Sequence, residues 1–246
     1  MELAWFESWF NSPYYHSLYQ HRDDKEAELF IDHLYHCLKI NESHSILDLA
    51  CGAGRHSIYM ASKGNRVTGI DLASNSIAEA KSKAVEKGLT EKLRFQVEDM
   101  RDFDLNIRFD FILNLFTSFG YFETKAENEA VLTRAKDHLN NNGILVIDYL
   151  NSQLVRANGE ENYTKTISDI DFTIHKYFDK DFVIKEIEVN DHGKIFKFRE
   201  QVQLFELKEI HTMLETLGFQ IVNHFGDYQL GDYKVNSPRS IMVARI

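Results

Sequence analysis

Over most of the chain, short apolar runs alternate with stretches of helical spacing. Residues 23–39 place Leu29, Phe30, Leu34, Cys37 and Leu38 at the three- and four-residue intervals of one helix face. Runs rich in β-branched and apolar residues at 45–49, 66–71, 93–97, 109–113 and 144–148 read as strands. Helical periods at 56–63, 74–87 and 125–139 fall between them. Gly88 closes the second of these, and the NNNG at 140–143 marks a turn after the third. Continuously apolar strands joined through helices predict a parallel sheet covered on both faces.

After residue 150 the pattern changes. Three runs within 163–205, TKTISDIDFTIHKYF, DFVIKEIEV and KIFKFREQVQLF, are separated by the turn chemistry of YFDKDF and NDHGK. They predict an inserted antiparallel β meander at about 160–205. Its charged positions (Lys185, Glu186, Glu188, Lys194, Lys197, Arg199, Glu200) read as one solvated sheet face. The doubly wound pattern then resumes with a helix over 207–216 and strands over 219–225 and 240–246. No helix separates these last strands, so they are expected to pair antiparallel. The expected fold class is α/β: a doubly wound, mostly parallel seven-stranded sheet with an antiparallel terminal hairpin and the inserted meander.

Composition narrows this only slightly. The 246 residues are 43% hydrophobic and 27% charged, an ordinary globular balance. The formal net charge of -10 argues against a nucleic-acid partner. Two cysteines, Cys37 and Cys51, make neither a disulfide framework nor a zinc site, and fit a reducing cytoplasm. The start MELAWFESWFNSPYY lacks a basic region followed by an apolar core, and no run reaches the length of a membrane span. Neither secretion nor a membrane is expected, and no metal site is predicted. His33, His36 and Cys37 read as part of an amphipathic helix face.

The chemistry concentrates in ILDLACGAGRH at 46–56, an apolar strand ending in Asp48, a small-residue loop, and a helix directly after it. Small residues let the loop backbone approach a ligand, and the helix start behind it offers free N–H groups. A second strand, RVTGID, ends in Asp71, where an acid can accept both hydroxyls of a ribose. A dinucleotide fingerprint would need glycine or alanine where Ser57 stands, and Asp48 would repel a pyrophosphate. A sulfonium cofactor benefits from acids instead.

These residues resemble the first motif of the class I, Rossmann-like S-adenosylmethionine methyltransferases, matched at Asp48, Ala50, Gly52 and Gly54 with alanine in place of the first glycine. Ala50 is expected to sit in ordinary strand-end dihedrals. In that family an acid after the third strand bonds the adenine amino group, which points to Asp99 with Met100 covering the ring. The run FDFILNLFTSFGYF resembles the fourth motif, with Asn114 and Leu115 beside the methionine moiety. The GFQIVNHFG…SIMVARI ending resembles the terminal hairpin of this class. The resemblance spans roughly residues 40–150 and 206–246, and implies S-adenosyl-L-methionine as cofactor. Leu72 belongs to the same predicted site. Arg55 is placed either on the cofactor carboxylate or on Asp48 or Asp71.

An N-terminal helical lid over 1–40 is expected on a Rossmann-like domain spanning 41–246. Trp5, Phe6, Trp9, Phe10, Tyr14, Tyr15 and Tyr19 supply its aromatic density. The layout resembles small-molecule N-methyltransferases that carry a tyrosine of an N-terminal arm at the active site, which makes Tyr14 and Tyr19 candidates. Tyr121 and Phe119 are expected to wall the substrate pocket. His16 and His56 read as surface and packing residues. The inserted meander either roofs the pocket or pairs across a homodimer. The expected activity is methyl transfer to a small-molecule acceptor, with nitrogen favoured because no strong base stands out. An RNA or protein methyltransferase, a non-catalytic S-adenosylmethionine-binding protein and a nicotinamide oxidoreductase are the competing readings.

Overall fold

A computed structural model describes residues 4–19 and 24–246. The chain opens with α1 (Trp5–Phe10), α2 (Pro13–Leu18) and α3 (Asp24–Leu38). Ser12 caps α2, its Oγ accepting from the Tyr14 amide at 3.1 Å, and Pro13 fills the first turn, where its missing N–H costs nothing. The main sheet follows as β1 (Ser45–Leu49), α4 (Arg55–Ser62), β2 (Arg66–Asp71), α5 (Ser74–Glu86), β3 (Leu93–Val97), β4 (Phe109–Asn114), α6 (Lys125–Asp137) and β5 (Leu139–Leu150). A short helix, α7 (Ser152–Ala157), which periodicity does not predict, leads to β6 (Glu161–Ile167), β7 (Ile170–Asp179), β8 (Phe182–Asp191) and β9 (Lys194–Gln203). The chain finishes with α8 (Leu207–Thr216), β10 (Gln220–Phe225) and β11 (Arg239–Arg245).

The seven-stranded sheet has the order β10-β11-β5-β4-β1-β2-β3, and the other four strands form a separate antiparallel sheet. The five strands from β1 to β5 run parallel, while β11 lies antiparallel to both β5 and β10. The expected fold class is therefore borne out. Alternate residues divide the core into two layers, as the period of a strand requires. Leu47, Leu49 and Ile112 face one layer with Leu132 and Leu214, whereas Ile46, Phe111 and Val146 face the other with Phe30 and Ile77.

Two local expectations are corrected. The Asn-rich turn does not end the segment, because β5 begins at Leu139 and carries residues 140–143 as an irregularity. Asn142 adopts φ 63°, which asparagine tolerates. The first apolar run of the meander is two strands rather than one. Ser168 and Asp169 both take positive φ, 50° and 64°, and form a two-residue turn that contains neither glycine nor proline.

A third apolar cluster joins distant parts of the chain. Trp9 and Leu18 from the N-terminal helices pack with Phe172, Ile174, Ile187 and Val189 of the four-stranded sheet. No helix among the described residues is long and apolar enough to cross a membrane.

Candidate active site

Beyond the C-terminal tips of β1, β2, β3 and β4, the two N-terminal helices and the four-stranded sheet enclose three adjoining cavities. The first is walled by Ala50, Gly52, Asp71, Leu72, Asp99, Met100, Phe6, Phe10 and Tyr121. The second, of ≈ 270 Å³, is lined among others by Asp48, Arg55, His56, Leu115 and Phe116. The third, of ≈ 190 Å³, lies under the four-stranded sheet and carries Lys176, Lys185, Glu200 and Arg239. Tyr15 and Tyr121 border all three, so the cavities adjoin at these two side chains.

The glycine loop is held open by the second strand's acid. Asp71 accepts the Gly52 amide at 2.8 Å on one oxygen and the Ala73 amide at 2.8 Å on the other. The two motif glycines do different things. A Cβ on Gly52 would meet no atom within 4 Å, so its backbone is bare toward the cleft. A Cβ on Gly54 would lie 2.5 Å from Phe95 Cζ, so that glycine permits helix–sheet packing instead. Ala50 departs from expectation: its φ is 62°, the left-handed region where a Cβ is strained.

Asp48 and Asp71 are buried and make no ion pair among the described residues, although Arg55 acts to lower Asp48 and His16 to lower Asp71. Burial, opposed by a 2.5 Å bond from Ser57 Oγ and reinforced by nearby Asp71, pushes Asp48 up to about 6. Burial also raises Asp71, against the backbone amides that favour its ionised form. A cationic ligand would relieve both, whereas a pyrophosphate would aggravate both. Buried carboxylates beside a backbone surface free of side chains fit S-adenosylmethionine. Asp48, Ala50, Gly52, Asp71, Leu72, Asp99, Met100 and Leu115 are the residues that would hold it.

Asp99 lines the first cavity but already carries a cation, whereas Asn114 lies outside the cleft. Asp99 receives Arg101, with Nη2 at 2.6 Å, and that guanidinium stacks 4.3 Å from the Phe122 ring centroid. Asn114 is buried below the cleft and donates Nδ2 to the Leu49 carbonyl at 3.0 Å, tying β4 to β1. Arg55 lies 4.6 Å over the ring of Phe116. Phe116 and Thr117 both hold positive φ, 59° and 60°, a strained turn fixed from behind by Asp148 and Arg239. Asp148 accepts the Phe116 amide at 2.8 Å, and Arg239 Nη2 donates to Thr117 Oγ1 at 2.6 Å.

His56 is buried against Phe116, and burial pulls it down to about 3, so it stays neutral. Phe119 is buried in the core against Phe205 rather than in the cleft. Tyr14 is directed to the far end of the four-stranded sheet, where its hydroxyl donates to Asp191 at 2.8 Å beside Phe196. Its neighbour Tyr15, read from sequence as part of the aromatic arm but not as an active-site candidate, lines the cleft.

The N-terminal helices are fastened at two places. Asn75 bonds Asn11 through both its amide (3.2 Å) and its side chain (3.0 Å), and Trp5 and Phe10 pack on Tyr121 at 5.5 and 5.2 Å. On the other side Tyr19 and Trp9 donate to Glu200 Oε2 at 2.7 and 3.2 Å. Lys185 donates to Glu200 Oε1 at 2.8 Å and to Tyr19 at 3.0 Å. Burial opposes the Lys185 charge, but Glu200 and Tyr19 more than compensate and hold it protonated. Lys185 and Glu200 were expected on a solvated face, and the fold turns them inward. The signal was available in sequence, since Val183 and Ile187 flank Lys185 at i±2, and Phe198 and Val202 flank Glu200.

The fold is the Rossmann-like one of the class I methyltransferases, and the acid-lined cleft fits S-adenosylmethionine. Residues 46–143 match the sequence model of the methyltransferase domain family. The chain is 27% identical over 220 residues to a glycine/sarcosine N-methyltransferase of Aphanothece halophytica, covering 85% of this chain and 77% of that one. It is 29% identical over 107 residues to a dTDP-3-amino-3,4,6-trideoxy-alpha-D-glucopyranose N,N-dimethyltransferase of Streptomyces venezuelae. That match spans 44% of this chain and only 43% of the relative's length. In structure the chain is similar to an S-adenosylmethionine-dependent methyltransferase of Clostridium acetobutylicum, with a TM-score of 0.81 at 20% identity over 95% of this chain and 96% of the other.

Proposed function

We propose that the protein transfers a methyl group from S-adenosylmethionine to the amine nitrogen of a small molecule. The observation that carries this reading is the roofed cleft, in which the acid-lined cavity and the polar cavity under the four-stranded sheet adjoin at Tyr15, Tyr19, Phe116 and Tyr121. An acceptor reaching through such a ring of aromatics is slender. Two similar proteins, by their names, methylate amines.

When bound, the cofactor supplies an electrophilic methyl group on a good leaving group. The chain's own work is positioning and exclusion of water. Asp71 and Asp99 are assigned to the adenosyl hydroxyls and adenine edge, and Asp48 with Arg55 to the amino-acid end. Tyr15 and Tyr121 present ring faces and edges that favour a cation and leave little room for water. Tyr19, fixed by Glu200 and Lys185, keeps its hydroxyl protonated through burial and the Glu200 charge, so it orients an acceptor rather than deprotonating one. The acceptor therefore enters as a neutral amine, and the proton it carries in excess after transfer leaves to water.

Calorimetry with S-adenosylhomocysteine and a release assay over matched amines and alcohols test this. Binding of the product with turnover of amines is the expected outcome. Turnover of alcohols alone would move the acceptor from nitrogen to oxygen, and absence of binding heat would remove the cofactor assignment.

A further inference from the structure

The cavity under the four-stranded sheet is lined by three cationic side chains, Lys176, Lys185 and Arg239, and one carboxylate, Glu200. Strand pairing sets Glu161 opposite Lys176, Lys176 opposite Lys185, and Lys185 opposite Glu200, one row of charges across β6, β7, β8 and β9. Of these, Lys176, Lys185 and Glu200 line the cavity, and Arg239 joins them from the start of β11. Glu200 is already engaged on both oxygens, by Lys185 on one and by Tyr19 and Trp9 on the other.

The cations are not exhausted in the same way. A lysine ammonium has three N–H groups and an arginine five. Among the described residues Lys176 donates only to Glu161, while its side chain is just 12% exposed. Arg239 directs Nε and Nη2 at Asp148 and Thr117, and its Nη1 makes no hydrogen bond among the described residues. Asp148 is fully buried, and neither it nor Glu161 is among the lining residues. The counter-charges of Lys176 and Arg239 thus stand outside the cavity wall, where Glu200, already engaged by Lys185, is the one carboxylate. A half-buried donor without a partner is costly, and a charged donor more so.

We infer that this cavity is the acceptor's anchoring subsite and binds an anionic, acceptor-rich group, a carboxylate or a phosphate, carried by the amine substrate. Its place in catalysis rests on the methyl-transfer reading above. The anion is held by Lys176 and Arg239 at the far side of the aromatic ring, which leaves the amine end of the molecule toward Tyr15 and Tyr121. Planar carboxylates and phosphates match an arginine edge plus a point-charge lysine.

The test uses the full chain with and without S-adenosylhomocysteine, titrated with acetate, inorganic phosphate and the neutral isostere acetamide. Either anion, and not acetamide, is expected to raise the melting temperature. Lys176→Met should weaken anion binding by about tenfold, the loss of one charge-assisted hydrogen bond, and Lys176→Arg should largely restore it. In turnover, glycine against glycinamide and glucosamine 1-phosphate against glucosamine separate the two sources of charge. The member of either pair that bears the anion should be preferred, and Lys176→Met should erase that preference mainly through KM. Equal binding of acetate, phosphate and acetamide, or anion affinity untouched in Lys176→Met, overturns the inference. Failure of S-adenosylhomocysteine to bind would overturn the methyl-transfer reading instead, because the anion titration of the ligand-free protein still reads this subsite.

Discussion

At the cofactor end of the cleft, Asp71 meets the Gly52 amide across 19 residues of chain, within one strand–loop–helix–strand unit. At the acceptor end, Tyr19 meets Glu200 across 181 residues, and Trp9 reaches the same carboxylate. The first site is assembled almost wholly by local connections, on strands buried on both faces. The second exists only when the N-terminal helices, the four-stranded sheet and the tip of β4 have all docked. It has a small apolar cluster of its own around Trp9, Phe172 and Ile187, apart from the two layers of the main sheet. A site built this way can change its acceptor by substitutions in the added parts, while the cofactor's half stays intact.

The comparison is broken most sharply at Trp9, which is wholly buried. Trp9→Ala should cost about 3–5 kcal/mol of local stability. Hydrogen exchange is expected to show α1, α2 and β7 to β9 opening, with S-adenosylhomocysteine affinity reduced far less than turnover. Protection lost equally in β1 and β4 would show that the two halves unfold as one.

Within the cofactor half, the two motif glycines should separate. Gly54→Ala combines a positive φ with overlap on Phe95 and should cost about 3 kcal/mol in denaturant unfolding. Gly52→Ala meets no neighbour and should cost about 1 kcal/mol of stability, its larger effect falling on cofactor affinity.

Protonation offers a third handle. Asp48's folded-state value, about 6, lies above that of an unfolded carboxylate. Its contribution to stability is therefore fully present below about pH 4 and lost as pH rises through 6. Relative to Asp48→Asn, the ligand-free protein should lose up to about 3 kcal/mol between those limits, as read from melts across pH. Binding of the cationic cofactor should release a proton near pH 6, visible as a buffer-dependent calorimetric enthalpy.

Asp71→Ala should weaken S-adenosylhomocysteine by about 1–3 kcal/mol, partly through the Gly52 amide it leaves unpaired. The smallest effect is expected at Ala50, where glycine should relieve the left-handed backbone and stabilise by at most about 1 kcal/mol in urea unfolding. A loss there would mean that the Cβ packs more than it strains.

The main sheet could be read from the chain because each strand announces itself by a continuous apolar run, and each acid closes such a run. Asp48 and Asp71 are visible for that reason, and the helix starts follow from the loops. The inserted sheet was read only in outline. Its first hairpin turn uses Ser168 and Asp169, which lack the usual glycine signature, so two strands look like one. Lys185 and Glu200 look solvated when charge alone is counted, although their apolar neighbours two positions away place them on the inward face. Tyr14 and Tyr15 cannot be told apart by composition, because the rotation of a six-residue helix against a sheet decides which ring enters the cleft.

By itself the sequence determined the alternation of strands and helices, the fold class and the acid-and-glycine half of the cleft, since strand period and loop chemistry are local properties of the chain. Only the tertiary structure decided which tyrosines of the N-terminal helices face the cavity, that Glu200 gathers Trp9, Tyr19 and Lys185, and that Lys176 and Arg239 meet in one wall. Those are contacts between segments far apart in the chain. They are fixed by how apolar faces dock, which no local spacing records.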